Sequence, residues 1–268
     1  MSKWYVDLFK NYAKSYDKES FTQGTVGEVD FIEKEINFDK SISILDVGCG
    51  TGRHLAELNK RGYKNLVGLD LSMDQLNTAK NKFASDTVNL ICTDATEFEL
   101  SSDKINLICA DATKFKLNKG FDLAITLCEG SFSLMETDEM NFDILKNISK
   151  VVKSGGKFIF TTPNALYPLK HSVKEFLNNS GAGGSTDNHN FDLLTLRGYS
   201  TFEITKDNGQ MEKLFCNERY YMPSEITWLL KSTGFSDIEI YAAQLGNYSR
   251  QAKLTDNDYE MLVICKKV

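Results

Sequence analysis

Asp46, Gly48, Cys49, Gly50, Gly52 and Asp70 have the residue types and spacing best suited to holding a ligand. The first five lie in ILDVGCGTGRHLAEL, residues 44–58, and Asp70 lies in VGLDLS, residues 67–72. In the first stretch an apolar run ends in an acid and passes through three glycines straight into a helical pattern at Arg53. Glycines there let a guest approach the backbone, and a helix start offers free N–H groups to an anionic group. On its own the glycine triplet is weak evidence, since a tight turn with no guest has the same pattern. Asp70 adds a carboxylate at the end of the next apolar run, where it can accept hydrogen bonds from ribose hydroxyls. A dinucleotide fingerprint would read GxGxxG after an apolar lead-in, whereas this loop reads GxGxG after an acid, so pyrophosphate is not the expected guest.

The elements that must position these groups follow from the pattern around them. Short apolar runs alternate with amphipathic stretches from residue 42, as in a parallel sheet with crossover helices. Strands are expected at 42–47, 66–71, 121–127 and 157–163, with helices from Arg53 to a stop at Gly62, from Ser72 to Phe83 and from Thr137 to Val152. Ser72 and Gln75 are spaced for a capping box. The rhythm breaks at 164–222, where a flexible stretch, SGAGGSTDN, precedes two alternating strands at 199–205 and 211–221. They flank Asn208-Gly209, a tight-hairpin signal. This reads as a lid inserted into a core formed by 1–163 and 223–268. Pro223 then opens a helix, and strands at 237–241 and 260–265 form an antiparallel edge.

Bulk properties limit the function classes. At 268 residues and 41% hydrophobic content, the chain can bury one substantial core. A net charge of -6 with interspersed signs is unsuited to nucleic acid. The six cysteines contain no CxxC pair, so reduced core thiols and a cytoplasmic location are expected. No three-residue cluster has metal-site spacing, so no metal is expected. The N-terminus has no signal-peptide run, and Trp4, Leu8, Tyr12 and Tyr16 recur at the spacing of one amphipathic helix. No segment is apolar and long enough to cross a bilayer.

Taken together, ILDVGCGTG, the acid in VGLDLS, a strand ending in Asp-Ala, FDLAITLCEGSF and RYYMPSEITWLLKSTGF resemble the class I S-adenosylmethionine-dependent methyltransferases. PNAL and the tail YEMLVICKK point to the members that act on small molecules. The resemblance implies a Rossmann-like, mostly parallel seven-stranded sheet with an antiparallel last strand. It also implies S-adenosyl-L-methionine as cofactor and a small amine or hydroxyl acceptor. Residues 48–52 would hold the methionine part, Arg53 would pair with its carboxylate or be an exposed helix arginine, and Leu71 would pack on the adenosine. Leu127, Cys128 and Glu129 would lie beside the sulfonium, with Glu129 as the first candidate base. Tyr16 best fits an N-terminal tyrosine near the cofactor, with Tyr12 as the fallback. His171 and His189 are weaker base candidates. A protein that senses the cofactor without turnover would share the same loop, and a nicotinamide oxidoreductase is disfavoured by the glycine spacing.

One oddity remains. NLICTDATEFEL at 89–100 recurs as NLICADATKFKL at 106–117. One copy should be the third strand, whose Asp-Ala meets adenine: Asp94 and Ala95, or Asp111 and Ala112. The second copy is preferred, because it runs directly into FDLAITL while the more polar first copy suits an exposed edge.

Overall fold

The computed structural model describes residues 3–84, 86–92, 100–101, 104–128, 130–180 and 185–268. Eleven strands are named among them: β1 (Ile44–Val47), β2 (Leu66–Asp70), β3 (Val88–Cys92), β4 (Ile105–Cys109), β5 (Phe121–Thr126), β6 (Val152–Pro163), β7 (Ser185–Asp192), β8 (Arg197–Thr205), β9 (Met211–Arg219), β10 (Phe235–Ala242) and β11 (Glu260–Lys267). The helices are α1 (Trp4–Leu8), α2 (Ala13–Tyr16), α3 (Thr25–Glu35), α4 (Arg53–Lys60), α5 (Met73–Lys80), α6 (Asp138–Val151), α7 (Val173–Asn179) and α8 (Pro223–Ser232). None of them is long and apolar enough to cross a membrane.

The main sheet runs in the order β10-β11-β6-β5-β1-β2-β4-β3. Its central strands are parallel, and β11 is antiparallel to both its neighbours. The order reverses at β1, so the carboxyl ends of β1 and β2 open onto a crevice. One face of the sheet packs Phe121, Phe158, Phe160 and Ile144 into a core, and the other packs Ile44, Leu55, Leu58 and Ile32.

The sheet has eight strands where the resemblance implies seven, and the repeated segment supplies the eighth. Its two copies pair in parallel and in register, Asn89 with Asn106, Leu90 with Leu107 and Cys92 with Cys109. The second copy, β4, lies beside β2, and the first, β3, is the edge. Burial accounts for this order: all of β4 except Cys109 is buried, while β3 is mostly half-exposed. The buried Asn106 side chain accepts from Asn89 at 3.1 Å and donates to the carbonyls of Ser101 and Lys104. Leu107 is fully buried and Leu90 only partly, so inner and outer copies are not interchangeable.

The insertion departs from the two-stranded expectation. It forms a separate three-stranded antiparallel sheet, β7-β8-β9. β7 escapes sequence reading because it is a polar edge strand with no apolar alternation. The N-terminal segment also differs from the single helix its periodicity suggests. Asn11 takes a left-handed conformation, φ 53, and splits it into α1 and α2, a conformation asparagine tolerates better than most residues. The insertion secures both pieces. Asp207, in the β8–β9 turn, accepts from the backbone N–H groups of Lys14 and Ser15, and Lys206 donates to the carbonyls of Asp7 and Leu8 at the end of α1.

Candidate cofactor site

The glycine loop is shaped as much by protein packing as by any guest. A Cβ on Gly48 would sit 1.9 Å from the Gly130 carbonyl oxygen, so this glycine lets the segment after β5 lie against the loop. Gly52 packs on Ala79 in the same manner. Gly50 is different: a Cβ there would meet nothing nearer than 3.8 Å, and those neighbours are the Gln75 and Tyr16 side chains. It is the glycine of the three that faces open space.

That space is a cavity of about 220 Å³ at the crevice, lined by Gly48, Gly50, Asp70, Leu71, Asp111 and Ala112, with Tyr16 beside them. Tyr5 and Phe9 from the N-terminal segment, Gln75 and Ser131 complete its wall together with Leu134 and Met135. Asp70 accepts from the backbone N–H of Gly50 at 2.8 Å and of Ser72 at 2.8 Å. Burial still pushes its carboxyl up to about 6 against those donors. Asp46 lies beneath the loop, 2% exposed, with one oxygen lacking a partner. Burial lifts it to about 7, with the charge of Asp70 adding and that of Arg53 opposing.

The remaining expected residues fall outside the cavity wall. Cys49 is buried under Gly68, and Leu127 belongs to the core. Cys128 holds a left-handed backbone, donates its N–H to the Thr161 hydroxyl and places its sulfur 3.8 Å from Glu28. Arg53 is neither exposed nor open to a ligand carboxylate through Nη1, which donates to Glu28 at 2.9 Å and to Thr25 at 2.7 Å. Glu28 also holds His54, whose Nε2 is 2.7 Å away. Burial and the Arg53 charge bring His54 down to about 4, so it is neutral near pH 7. Tyr12 is buried and hydrogen-bonded to Glu19, whereas Tyr16 packs edge-on between Phe9 and Phe21 at the cavity. Asp94, Ala95 and Glu129 lie outside the described residues.

Sequence reasoning missed Gln75 as a wall residue, because its spacing from Ser72 marks it as a cap. Ser72 does accept from the Gln75 backbone N–H at 3.4 Å, but the Gln75 side chain does not return the bond. The side chain is 1% exposed and both its amide atoms lack partners; the Ser131 hydroxyl is likewise buried without one. Each orphaned buried polar group costs about 1–3 kcal/mol. Two of them in the wall of one cavity therefore fit a polar guest. Leu71, Ala112, Leu134 and Met135, which also line the cavity, suit a flat apolar ring.

A crevice at a topological switch point, a glycine loop, a ribose-ready acid and an apolar slot define an α/β protein built for a nucleoside cofactor. The chain belongs to the methyltransferase domain family, whose family model matches residues 38–234, and it is an S-adenosylmethionine-dependent methyltransferase. It is 28% identical over 247 residues to an uncharacterized protein of Methanocaldococcus jannaschii, covering 92% of this chain and 80% of that one. Its fold is similar to that of an S-adenosylmethionine-dependent methyltransferase from Clostridium acetobutylicum, with a TM-score of 0.69, 21% identity and coverage of 97% and 99%. It is also similar in fold to an S-adenosylmethionine-bound amino pentose methyltransferase from Micromonospora echinaspora, with a TM-score of 0.61, 15% identity and coverage of 96% of both chains.

The buried acid gives a pH prediction. Asp46 ionises near pH 4 when unfolded and near 7 when folded, so the native state binds the extra proton and loses stability as pH rises between those values. Asp46→Asn is expected to match the parent near pH 4 and to exceed it above pH 7 by up to about 4 kcal/mol, measured by urea unfolding across that range.

Proposed function

We propose that the enzyme transfers a methyl group from S-adenosylmethionine to the amine of a small molecule held under the inserted sheet. The observation that carries this reading is a pair of carboxylates, Glu218 and Glu260, where the insertion rejoins the carboxyl edge of the main sheet. Glu260 pairs with Pro163 at the end of β6, and the Pro163 carbonyl accepts the N–H of Tyr221. Glu218 is the residue before Arg219, whose N–H is bonded to Ser133. Arg219, next to Glu218 in the chain, is paired instead with Asp138 and Glu225. Burial raises Glu218 and Glu260 to about 7, and for Glu260 the charges of Glu28 and Glu218 add to it, while the Thr161 hydroxyl and Arg53 oppose. His189 lies across Gly198 from Glu218 with its Nε2 buried and unpaired. A protonated amine satisfies this environment, and the fold neighbour that acts on an amino pentose supports the same acceptor class.

In this reading Asp70 takes the ribose hydroxyls, Leu71 and Ala112 flank the adenine, and Asp111 receives its amino group. Gln75 and Ser131 gain the partners they lack. With Arg53 committed to Glu28 and the N–H groups of Gly48, Cys49, Gly50 and Gly52 already bonded within the protein, the methionine carboxylate falls to the Gln75 amide and the Ser131 hydroxyl. The bound cofactor supplies an electrophilic methyl group on a sulfonium. Glu218 draws the ammonium in, takes one proton from it and leaves the nitrogen lone pair free to attack. A base with a pKa near the working pH does this best. Holding donor and acceptor in line supplies much of the remaining acceleration.

Product formation with a panel of small amines, phenols and carboxylic acids tests the acceptor class: amines are expected to be methylated, and a preference for phenols or acids would overturn it. Glu218→Gln is expected to lower kcat at least about tenfold at pH 7 and to weaken its dependence on pH, with cofactor affinity unchanged. Calorimetric titration should find that Asp111→Ala weakens S-adenosylhomocysteine more than Asp94→Ala does.

A further inference from the structure

The first copy of the repeat has no place in the reading above, yet its pairing with the second sets two thiols side by side. Cys92 ends β3 and Cys109 ends β4, and the two are register partners. Register partners in a parallel pair direct their side chains to the same face, and their strands run about 4.7–4.9 Å apart. That separation falls within the Cα–Cα range of about 4.4–6.8 Å that a disulfide spans. Both sulfurs also reach one short stretch at the start of α5: Cys92 Sγ lies 3.8 Å from Met73 Sδ, and Cys109 Sγ lies 3.6 Å from the Leu71 carbonyl oxygen. Cys92 is exposed and Cys109 half-buried, so a dissolved oxidant can reach the pair. Cys49, Cys216 and Cys265 are buried, and Cys128 packs against Glu28. Thus the expectation of core thiols holds for part of the set, and Cys92 departs from it because the edge strand leaves its end uncovered.

We propose that Cys92 and Cys109 form a reversible disulfide, a modification site that exists because the strand was duplicated in register. The oxidant is a low-molecular-weight disulfide. The Cys92 thiolate attacks one of its sulfurs, breaking that S–S bond and releasing the first small thiol. The Cys109 thiolate then attacks the Cys92 sulfur of the mixed disulfide and releases the second. The protein dithiol loses two electrons, the oxidant becomes two thiols, and the two protons leave with them. The link pins the edge strand to the strand that leads into Ala110, Asp111 and Ala112 on the cavity wall.

The test is incubation of the full chain with oxidised glutathione, followed by thiol titration and peptide mapping without reductant. The titratable thiols are expected to fall by two from the six cysteines of the chain, with a peptide linking Cys92 to Cys109 and full reversal by dithiothreitol. Cys92→Ser and Cys109→Ser should each abolish the link, the former leaving no adduct at its own position and the latter leaving glutathione on Cys92. A stable glutathione adduct on Cys92 in the parent chain, a link to any other cysteine, or six thiols still free would overturn the proposal.

Discussion

The structure depends on a carboxylate that is buried and kept hydrogen-bonded by backbone alone. Asp70 ends β2 between the N–H groups of Gly50 and Ser72, so one side chain fixes the glycine loop on one flank and the start of α5 on the other. The Leu69 carbonyl accepts from Gly48 and Cys49, which holds the same loop to the same strand from below. With Gly48 pressed against Gly130, the ends of β1, β2 and β5 become one rigid unit. A second buried acid, Asp46, lies beneath it, and the loop cannot relax without exposing or stranding a charge.

The remaining elements close this unit from outside. Tyr5, Phe9 and Tyr16 roof the cavity, although α1 and α2 are too short to be stable alone. They are held by Lys206 and Asp207, at the tip of the inserted sheet. The far end of that sheet is stitched to the main one through Arg219 and Tyr221, and Tyr221 stacks on Phe132 at 4.8 Å. One insertion therefore orders the cofactor roof at one end and carries Glu218 at the other.

Much of this is legible in the sequence where a residue's role is set by its neighbours in the chain. The alternation of apolar runs marks the parallel sheet, and Asp46, the glycines and Asp70 mark the crevice. The polarity contrast between the repeat copies identifies which one is buried, since the more polar sequence suits an exposed edge. What escaped depends on contacts between distant segments. Arg53 looks available until α3 brings Glu28 to it. Gln75 looks like a cap, yet its amide is buried without a partner at the cavity wall. β7 is too polar to show a pattern, and Asn11 breaks a helix whose periodicity alone runs straight through it.

The central claim is that the Asp70 carboxylate, set beside Gly50, grips the sugar of the cofactor. Isothermal titration of S-adenosylhomocysteine into the parent chain and Asp70→Ala tests it most directly. The account predicts one site per chain and at least about a tenfold loss of affinity in the variant, or roughly 1.4 kcal/mol. Equal affinities in the two proteins, or no heat with the parent, would contradict it.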